Sequence, residues 1–166
     1  MDSVEENRET EENLVAFLTE RSLVLAAAES CTAGLVADRI VRVPGASKVF
    51  WGSFVCYSPR AKMTMLGIES GILDRYGPVS AETAAAMAAG AVEKSGADLA
   101  VSVTGLAGPD GDGSGTPVGT VWIGTALKNG PETAKNFHFT GSRNELRNKA
   151  ALEAVNQILK QLQEFF

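Results

Sequence analysis

Three polar positions in the sequence follow segments that predict buried strands. Ser30 comes just after the apolar segment Leu23–Ala28, and Thr104 ends a second apolar segment. Tyr57 ends a segment rich in aromatic residues, and Lys62 lies in the helix predicted to follow it. Ligands of open α/β sheets bind at the carboxyl ends of the strands. We therefore expect Ser30, Tyr57, Lys62 and Thr104 to converge at one edge of a sheet.

A serine nucleophile at this edge needs a base, and the sequence offers one histidine, His138. Its neighbours Phe137 and Phe139 alternate with it along a predicted strand, which places His138 on the opposite face, partly exposed. The other available base is Lys62 in its neutral form. Its pKa would have to fall from ~10.4 to about 7–8, a bias of roughly 4 kcal/mol against the ammonium ion.

Burial of Lys62, together with a neighbouring cation such as Arg143, is expected to supply this bias. A Ser30–Lys62 pair with Tyr57 and Thr104 as hydrogen-bonding partners suits acyl transfer, including amide hydrolysis.

Two other interpretations of the first junction stay open. Ser30 or Thr32 can simply cap the helix that follows. Cys31 is a rival nucleophile, since a thiolate at a helix N-terminus is activated by the helix dipole. Adjacent residues leaving a strand point in different directions, so we favour Ser30 and expect Cys31 to be a small buried residue. At the third junction, Gly105 would let the backbone approach a ligand closely.

Composition excludes several other functions. The chain has 166 residues, 45% of them hydrophobic and 21% charged, as in ordinary globular domains. Residues 1–20 hold seven acids and one base, a net charge of −6, so the rest sums to +1 of the total of −5. Without a basic patch interleaved with aromatics, or an apolar run of ~20 residues, we expect neither nucleic-acid binding nor a membrane span. One histidine and two separated cysteines are too few for a zinc site and suggest free thiols in the cytoplasm.

The order of predicted elements indicates a single domain, 1–166, in which residues 1–10 form an acidic extension or the first turns of a helix over 11–22. Helices and strands then alternate up to a final hairpin and helix, which favours a three-layer α/β/α domain with a mixed, mostly parallel sheet of about five strands. Ser80 and the pair Ser142 and Glu145 are predicted caps of the last two long helices. Strands are expected at 23–28, 48–57, 98–104, 118–127 and 133–140, and helices at 32–42, from 58, at 68–76, 80–94 and 142–163.

Several ordered motifs in the sequence resemble the CinA C-terminal domain, the family of nicotinamide-nucleotide amidohydrolases. The resemblance covers about Leu14 to the C-terminus. The motifs are Ala28–Gly34, Val43–Ser47, Gly52–Lys62, Tyr76–Ser80, Val103–Pro109 with Gly111, Pro117–Val121, and Arg143 with Arg147.

The resemblance implies a cofactor-free α/β/α domain, often a homodimer, that hydrolyses the carboxamide of nicotinamide mononucleotide. It makes Ser30 the nucleophile, Lys62 the base, and Tyr57 and Thr104 their partners. It also makes Arg143 a ligand of the substrate phosphate, with the Thr32–Gly34 amides as another candidate.

One departure from the family pattern is Ala33, which stands where the family usually has glycine. If that position needs a positive φ or touches the ligand, the methyl group would weaken binding. This motivates an alternative hypothesis, a non-catalytic module that binds a nucleotide or another partner. A third hypothesis is a related amidase with a different small amide as its substrate.

Overall fold

The computed structural model describes residues 3–166, with side chains described from Arg8 onward. Over this part of the chain, helices and strands alternate before a final hairpin and helix. The elements are α1 (Ser3–Arg21), β1 (Leu25–Glu29), α2 (Leu35–Val41), β2 (Phe50–Val55), α3 (Pro59–Leu66), α4 (Ser70–Tyr76), α5 (Ala81–Ser95), β3 (Leu99–Gly105), β4 (Thr120–Leu127), β5 (Glu132–His138) and α6 (Arg143–Phe165).

The five strands form one sheet in the order β2-β1-β3-β4-β5. β1 pairs in parallel with β2 and β3, while β4 is antiparallel to β3 and β5, so four strands share one direction. In register, Glu29 at the end of β1 lies beside Val55 of β2 and Val103 of β3. The predicted mixed sheet is confirmed, and the carboxyl ends of the three parallel strands meet at one edge.

Helices cover both faces of the sheet, which confirms the three-layer arrangement. One hydrophobic cluster joins α1, α2 and α6 to alternate residues of β1 and β3, such as Ala27 and Val101. A second cluster joins α3, α4 and α5 to the intervening residues, such as Ala28 and Ala100. All five β1 residues are buried, which explains why its sequence shows no polar alternation.

Close contact between α5 and the sheet depends on Gly124 of β4. A Cβ atom there would overlap the Ala84 carbonyl of α5 and the Ser102 hydroxyl of β3. The Ser102 hydroxyl donates to that carbonyl at 2.6 Å. The backbone of α5 thus packs directly against β3 and β4.

Most predicted elements are present, with two differences at helix starts. α1 begins at Ser3, so residues 3–10 are its first turns; Met1 and Asp2 of the predicted extension lie outside the described residues. α2 begins at Leu35 rather than near Thr32, because residues 30–34 form a separate turn. The predicted caps of α5 and α6 are found: Ser80 accepts from the Thr83 N–H, and Ser142 and Glu145 form a capping box.

None of the helices within residues 3–166 combines the length and the apolar composition needed to cross a membrane.

Candidate active site

The amino group of Lys62 lies beside the hydroxyl of Ser30 at the carboxyl edge of the sheet. The Nζ atom of Lys62 donates to Ser30 Oγ at 2.9 Å and to the Cys56 carbonyl at 3.1 Å. Lys62 comes from the first turns of α3, and Ser58 caps that helix by accepting the Ala61 N–H at 3.1 Å. Lys62 is 1% exposed and Ser30 is 7% exposed, so the pair is shielded from bulk water.

Burial lowers the pKa of Lys62 from its ordinary value of 10.5. Removing the ammonium ion from water favours the neutral amine, which can then accept a proton from Ser30. The thiols of Cys56 and Cys31 oppose this shift only when they are ionised. The expected contribution of Arg143 is not found, because desolvation is the one effect that lowers this pKa.

Cys31 is a poor candidate for the nucleophile. Burial raises the pKa of its thiol to about 11, so the thiolate is scarce at neutral pH. The neighbouring Cys56 is also buried, and desolvation raises its pKa too. The thiols at this edge behave as small apolar groups, as expected for Cys31.

A cavity of about 260 Å³ opens beside the Ser30–Lys62 pair. Of the nine predicted site residues, six line it: Ser30, Tyr57, Lys62, Thr104, Gly105 and Arg143. The loop after β3 forms much of the remaining wall, from Leu106 to Asp112. The other three predicted residues, Thr32, Ala33 and Gly34, do not line the cavity.

Tyr57 and Thr104 line the cavity without bonding to the Ser30–Lys62 pair. The hydroxyl of Tyr57 accepts a hydrogen bond from Arg143 at 3.0 Å, and 61% of Tyr57 is exposed. Thr104 Oγ1 donates to the Pro78 carbonyl at 2.6 Å. Thr104 therefore anchors the segment that leads into α5, and Tyr57 helps to hold Arg143 at the mouth of the cavity.

Arg143, the first residue of α6, connects two walls of the cavity. Its guanidinium donates to the Gly108 carbonyl at 2.6 Å as well as to Tyr57. A guanidinium has five N–H donors, so donors remain for an anion in the cavity.

Gly105 is required by the close pairing of two strands. A Cβ atom there would lie 2.8 Å from the Thr120 carbonyl and 2.8 Å from Val121 Cγ2 of β4. The glycine therefore lets the end of β3 pair closely with β4, and this sets the position of the cavity wall.

Glu29, fully buried at the end of β1, closes the N-terminus of α2. Its carboxylate accepts five hydrogen bonds within 3.1 Å, from Thr32 Oγ1, the backbone N–H groups of Gly34, Val36 and Ala37, and Ser53 Oγ. The N-terminal amides of the helix are thus occupied by a carboxylate of the protein itself. This leaves the Gly34 amide, one of the predicted phosphate ligands, without a free N–H, and neither Ser30 nor Thr32 caps the helix.

The turn that carries Ser30 has an unusual backbone conformation. Ala33 has φ 46° and Gly34 has φ 101°, both in the left-handed region. An alanine in this region is strained because its Cβ approaches the following carbonyl. The condition set for Ala33 from the sequence, a positive φ, is therefore met, whereas contact with the cavity is not.

Arg147 is a second charged residue that contacts the turn carrying Ser30. It lies one turn after Arg143 in α6 and donates to the carbonyls of Cys31 at 2.8 Å and Thr32 at 3.2 Å. The sequence assigned a role to neither Arg147 nor Glu29. For Glu29 a signal existed, since a lone acid closing an apolar strand must be buried with partners, and here a helix start follows it.

His138, the one other side chain considered as a base, is exposed on β5 and does not line the cavity. Among residues 3–166, no group of three or more His, Cys, Asp or Glu side chains is placed to hold a metal ion.

A family model for the CinA C-terminal domain matches residues 7–162. A putative competence-damage inducible protein of Caldicellulosiruptor bescii is 42% identical over 93% of this chain, which corresponds to 38% of that protein. A CinA-like protein of Geobacter metallireducens is 45% identical over 93% of this chain and 37% of its own length. The chain therefore spans less than two fifths of the curated relatives it matches.

Solved structures share the fold along almost the whole chain. A CinA superfamily protein of Escherichia coli is similar with a TM-score of 0.91 and 33% identity, covering 97% of this chain and 93% of that one. A competence/damage inducible protein of Agrobacterium tumefaciens has a TM-score of 0.89 and 35% identity, with 95% of each chain covered. The fold, the residues at the carboxyl edge of the sheet and the sequence all indicate the same class of α/β/α domain. The chain belongs to the CinA C-terminal domain family.

Proposed function

We propose that this chain is a nicotinamide-nucleotide amidohydrolase, converting the carboxamide of nicotinamide mononucleotide into nicotinic acid mononucleotide and ammonia. The observation that carries the amidase proposal is the buried Lys62 Nζ, 2.9 Å from Ser30 Oγ. The choice of substrate rests on the family resemblance. The proposed reaction consumes water and uses no cofactor.

In the proposed mechanism, neutral Lys62 accepts the Ser30 proton as Oγ attacks the amide carbon. The hydrogen bond then runs from Oγ to Nζ, the reverse of its direction in the ammonium form. The tetrahedral oxyanion collapses as Lys62 returns the proton to the amide nitrogen, the C–N bond breaks and ammonia leaves. Water then attacks the carbonyl carbon of the resulting ester as Lys62 takes one of its protons. The C–Oγ bond breaks, Lys62 passes that proton to Ser30 Oγ, and the acid leaves.

Arg143 is the proposed ligand of the substrate phosphate. It lies in the cavity wall with N–H donors to spare, while the Gly34 amide already donates to Glu29. A cavity of about 260 Å³ is small for a nucleotide, given that pockets enclosing drug-sized ligands have ~300–1,000 Å³. We infer that the amide-bearing ring enters the cavity and that the ribose phosphate stays at its mouth, beside Tyr57 and Arg143.

The test is ammonia release from nicotinamide mononucleotide by the purified chain. Ser30→Ala and Lys62→Met should each reduce the rate by at least a factor of 10³, because each removes a reacting group. Lys160→Met is the matched control, since Lys160 is an exposed residue far along α6. Full activity in either site variant would refute the mechanism.

Two other outcomes would identify the alternative functions. Calorimetric binding of the nucleotide without ammonia release from wild type would support a non-catalytic binding module. Ammonia released only from other members of a panel of small amides would indicate a related amidase.

Two expectations from the sequence stay predictions, a homodimer or higher homo-oligomer and a cytoplasmic location. Sedimentation of the purified chain and fractionation of cells that produce it would test them.

A further inference from the structure

The backbone N–H groups around Ser30 divide into those with a partner and two without one. Ser30 N–H donates to the Val103 carbonyl, and the Ala33 and Leu35 N–H groups donate to carbonyls within the turn. The N–H groups of Gly34, Val36 and Ala37 donate to the Glu29 carboxylate, as described above. Among the described residues, neither the Cys31 N–H nor the Thr32 N–H donates to an acceptor.

Both exceptions directly follow Ser30, and both residues are buried, Cys31 at 6% and Thr32 at 0% exposure. A buried N–H without a partner is rare, because it loses its bond to water and gains nothing in return. Of these two residues Cys31 lines the cavity together with Ser30, whereas Thr32 does not. The Cys31 N–H is therefore the donor available to an oxygen that becomes negative during the reaction.

Two charged side chains hold the turn in this arrangement. Arg147 binds the carbonyls of Cys31 and Thr32, as described above. Glu29 binds the amides further along and so fixes the left-handed turn at Ala33 and Gly34.

We propose that Glu29 and Arg147 are positioning residues that hold the Cys31 N–H as the backbone donor of an oxyanion hole for attack by Ser30. This rests on the proposed function only in taking Ser30 as the nucleophile. Neither residue lines the cavity, so each acts through the turn rather than on the substrate.

Replacing Glu29 by glutamine keeps the shape of the side chain and removes its charge. The variant therefore tests whether the carboxylate positions the turn or only fills space in the core. The amide has one acceptor oxygen, and its NH₂ group would face donors that now bind a carboxylate oxygen. At Oε2 these donors are Thr32 Oγ1 and the Gly34 and Val36 N–H groups; at Oε1 they are the Ala37 N–H and Ser53 Oγ. Either orientation of the amide therefore disturbs the turn.

The experiment measures how fast Ser30 reacts with a fluorophosphonate, followed by intact mass. In this reaction the Ser30 Oγ–P bond forms, the P–F bond breaks, fluoride leaves and Lys62 takes the hydroxyl proton. The phosphoryl oxygen then occupies the oxyanion position, so the rate reports the hole without requiring nicotinamide mononucleotide. Ser30→Ala establishes that the label is on Ser30.

Glu29→Gln and Arg147→Met should each react at least tenfold more slowly, since loss of one oxyanion donor commonly costs ~10²–10³ in rate. Arg147→Lys should recover part of the rate. Lys160→Met removes a positive charge from the same helix, about 20 Å along its axis, and should react like wild type. The pH midpoint of the reaction, set by Lys62, should stay unchanged in all variants.

Reaction of Glu29→Gln and Arg147→Met at the wild-type rate would overturn the proposal. So would a shifted pH midpoint with the full rate restored at high pH, because the residues would then act on Lys62. If Glu29→Gln does not fold, Arg147→Met decides, since Arg147 is partly exposed on a helix surface. If wild type is labelled at Ser30 but releases no ammonia, the proposed substrate is refuted. The labelling rates of the Glu29 and Arg147 variants would still test the oxyanion-hole proposal.

Discussion

At the scale of single residues, Lys62 serves the proposed chemistry at the expense of stability. Its amino group is buried with two hydrogen-bond acceptors and, among the side chains described from Arg8 onward, no carboxylate partner. We predict that Lys62→Met, which has a similar shape and no charge, abolishes ammonia release while its Tm equals or exceeds that of wild type at pH 7. Thermal unfolding followed by circular dichroism measures this. A Tm lowered by several degrees would show that the two hydrogen bonds outweigh desolvation.

Ala33 offers a stabilising substitution in the same turn. At φ 46° an alanine is strained by roughly 1–2 kcal/mol, and glycine removes this strain at some entropic cost. We therefore expect Ala33→Gly to raise the free energy of unfolding by about 1 kcal/mol, measured by urea titration. Ala37→Gly, inside α2 and at ordinary φ, is the control and should lower it by a similar amount.

The types of the cavity-lining residues were predictable, but their supporting contacts were not. Ser30 and Lys62 stood out because strand ends of a parallel sheet converge and because the one histidine, His138, was expected on another part of the sheet. Arg143 was named as a neighbouring cation and, through the family resemblance, as a phosphate ligand. Glu29 and Arg147 act through hydrogen bonds to backbone atoms, and such contacts leave no spacing pattern in the sequence. The burial that lowers the pKa of Lys62 likewise depends on the packing of α3 against the sheet.

At the scale of elements, the position of α3 depends on a glycine in α5. A Cβ atom at Gly90 would overlap the Leu66 carbonyl at the end of α3 and lie 3.0 Å from Leu66 Cβ. We predict that Gly90→Ala lowers the free energy of unfolding by about 1–3 kcal/mol and reduces turnover, since α3 carries Lys62. Gly71→Ala in α4, where a Cβ meets nothing within 4 Å, is the control and should be neutral or slightly stabilising.

The first turns of α6 carry both arginines of the site, Arg143 and Arg147. Ser142 accepts the Glu145 N–H at 3.5 Å, and Glu145 accepts the Ser142 N–H at 2.6 Å. Ser142→Ala should lower the free energy of unfolding by about 1 kcal/mol and raise KM more than it lowers kcat, because Arg143 loses its fixed start. Urea titration measures the free energy of unfolding, and steady-state kinetics measure KM and kcat. An unchanged KM would show that the Ser142 cap does not position Arg143.

Element order and cap positions followed from the sequence, and the start of α2 did not. Apolar periodicity and the caps at Ser80 and Ser142 are local signals. By contrast, the turn at Ser30 ends where Glu29 reaches the helix amides, and that contact requires the β1 end to be buried already. A helix start set by a side chain preceding it on a strand has no local cap residue to predict it; here the N-cap is Gly34.

At the scale of the whole molecule, Lys62 gives stability a pH dependence. Burial holds the pKa of Lys62 in the folded state below its value in the unfolded chain, which is ~10.4. Between these two values the unfolded chain binds more protons, so the free energy of unfolding rises with pH. Below the folded pKa the full penalty for burying the charge is present.

The difference between wild type and Lys62→Met isolates this effect from other groups. The buried thiol of Cys31 acts with the opposite sign, because its folded pKa is raised to about 11 and the unfolded chain loses its proton first. We expect the stability deficit of wild type relative to Lys62→Met to shrink as pH rises toward 10. Urea titrations at several pH values test this, and a constant difference would refute a lowered pKa.

The outer strand of the sheet has a consequence for the behaviour of the protein in concentrated solution. β2 reads Phe-Trp-Gly-Ser-Phe-Val, without a charge or proline, and forms an edge of the sheet. Such a segment is a template for intermolecular cross-β stacking if it is flat. Here Leu25 pairs with Phe50 and Ala26 with Gly52, so Trp51 bulges out of the ladder, and Gly52 has φ 143°. The irregular edge makes β2 a poor template for fibril growth, so the bulge protects this uncharged edge strand.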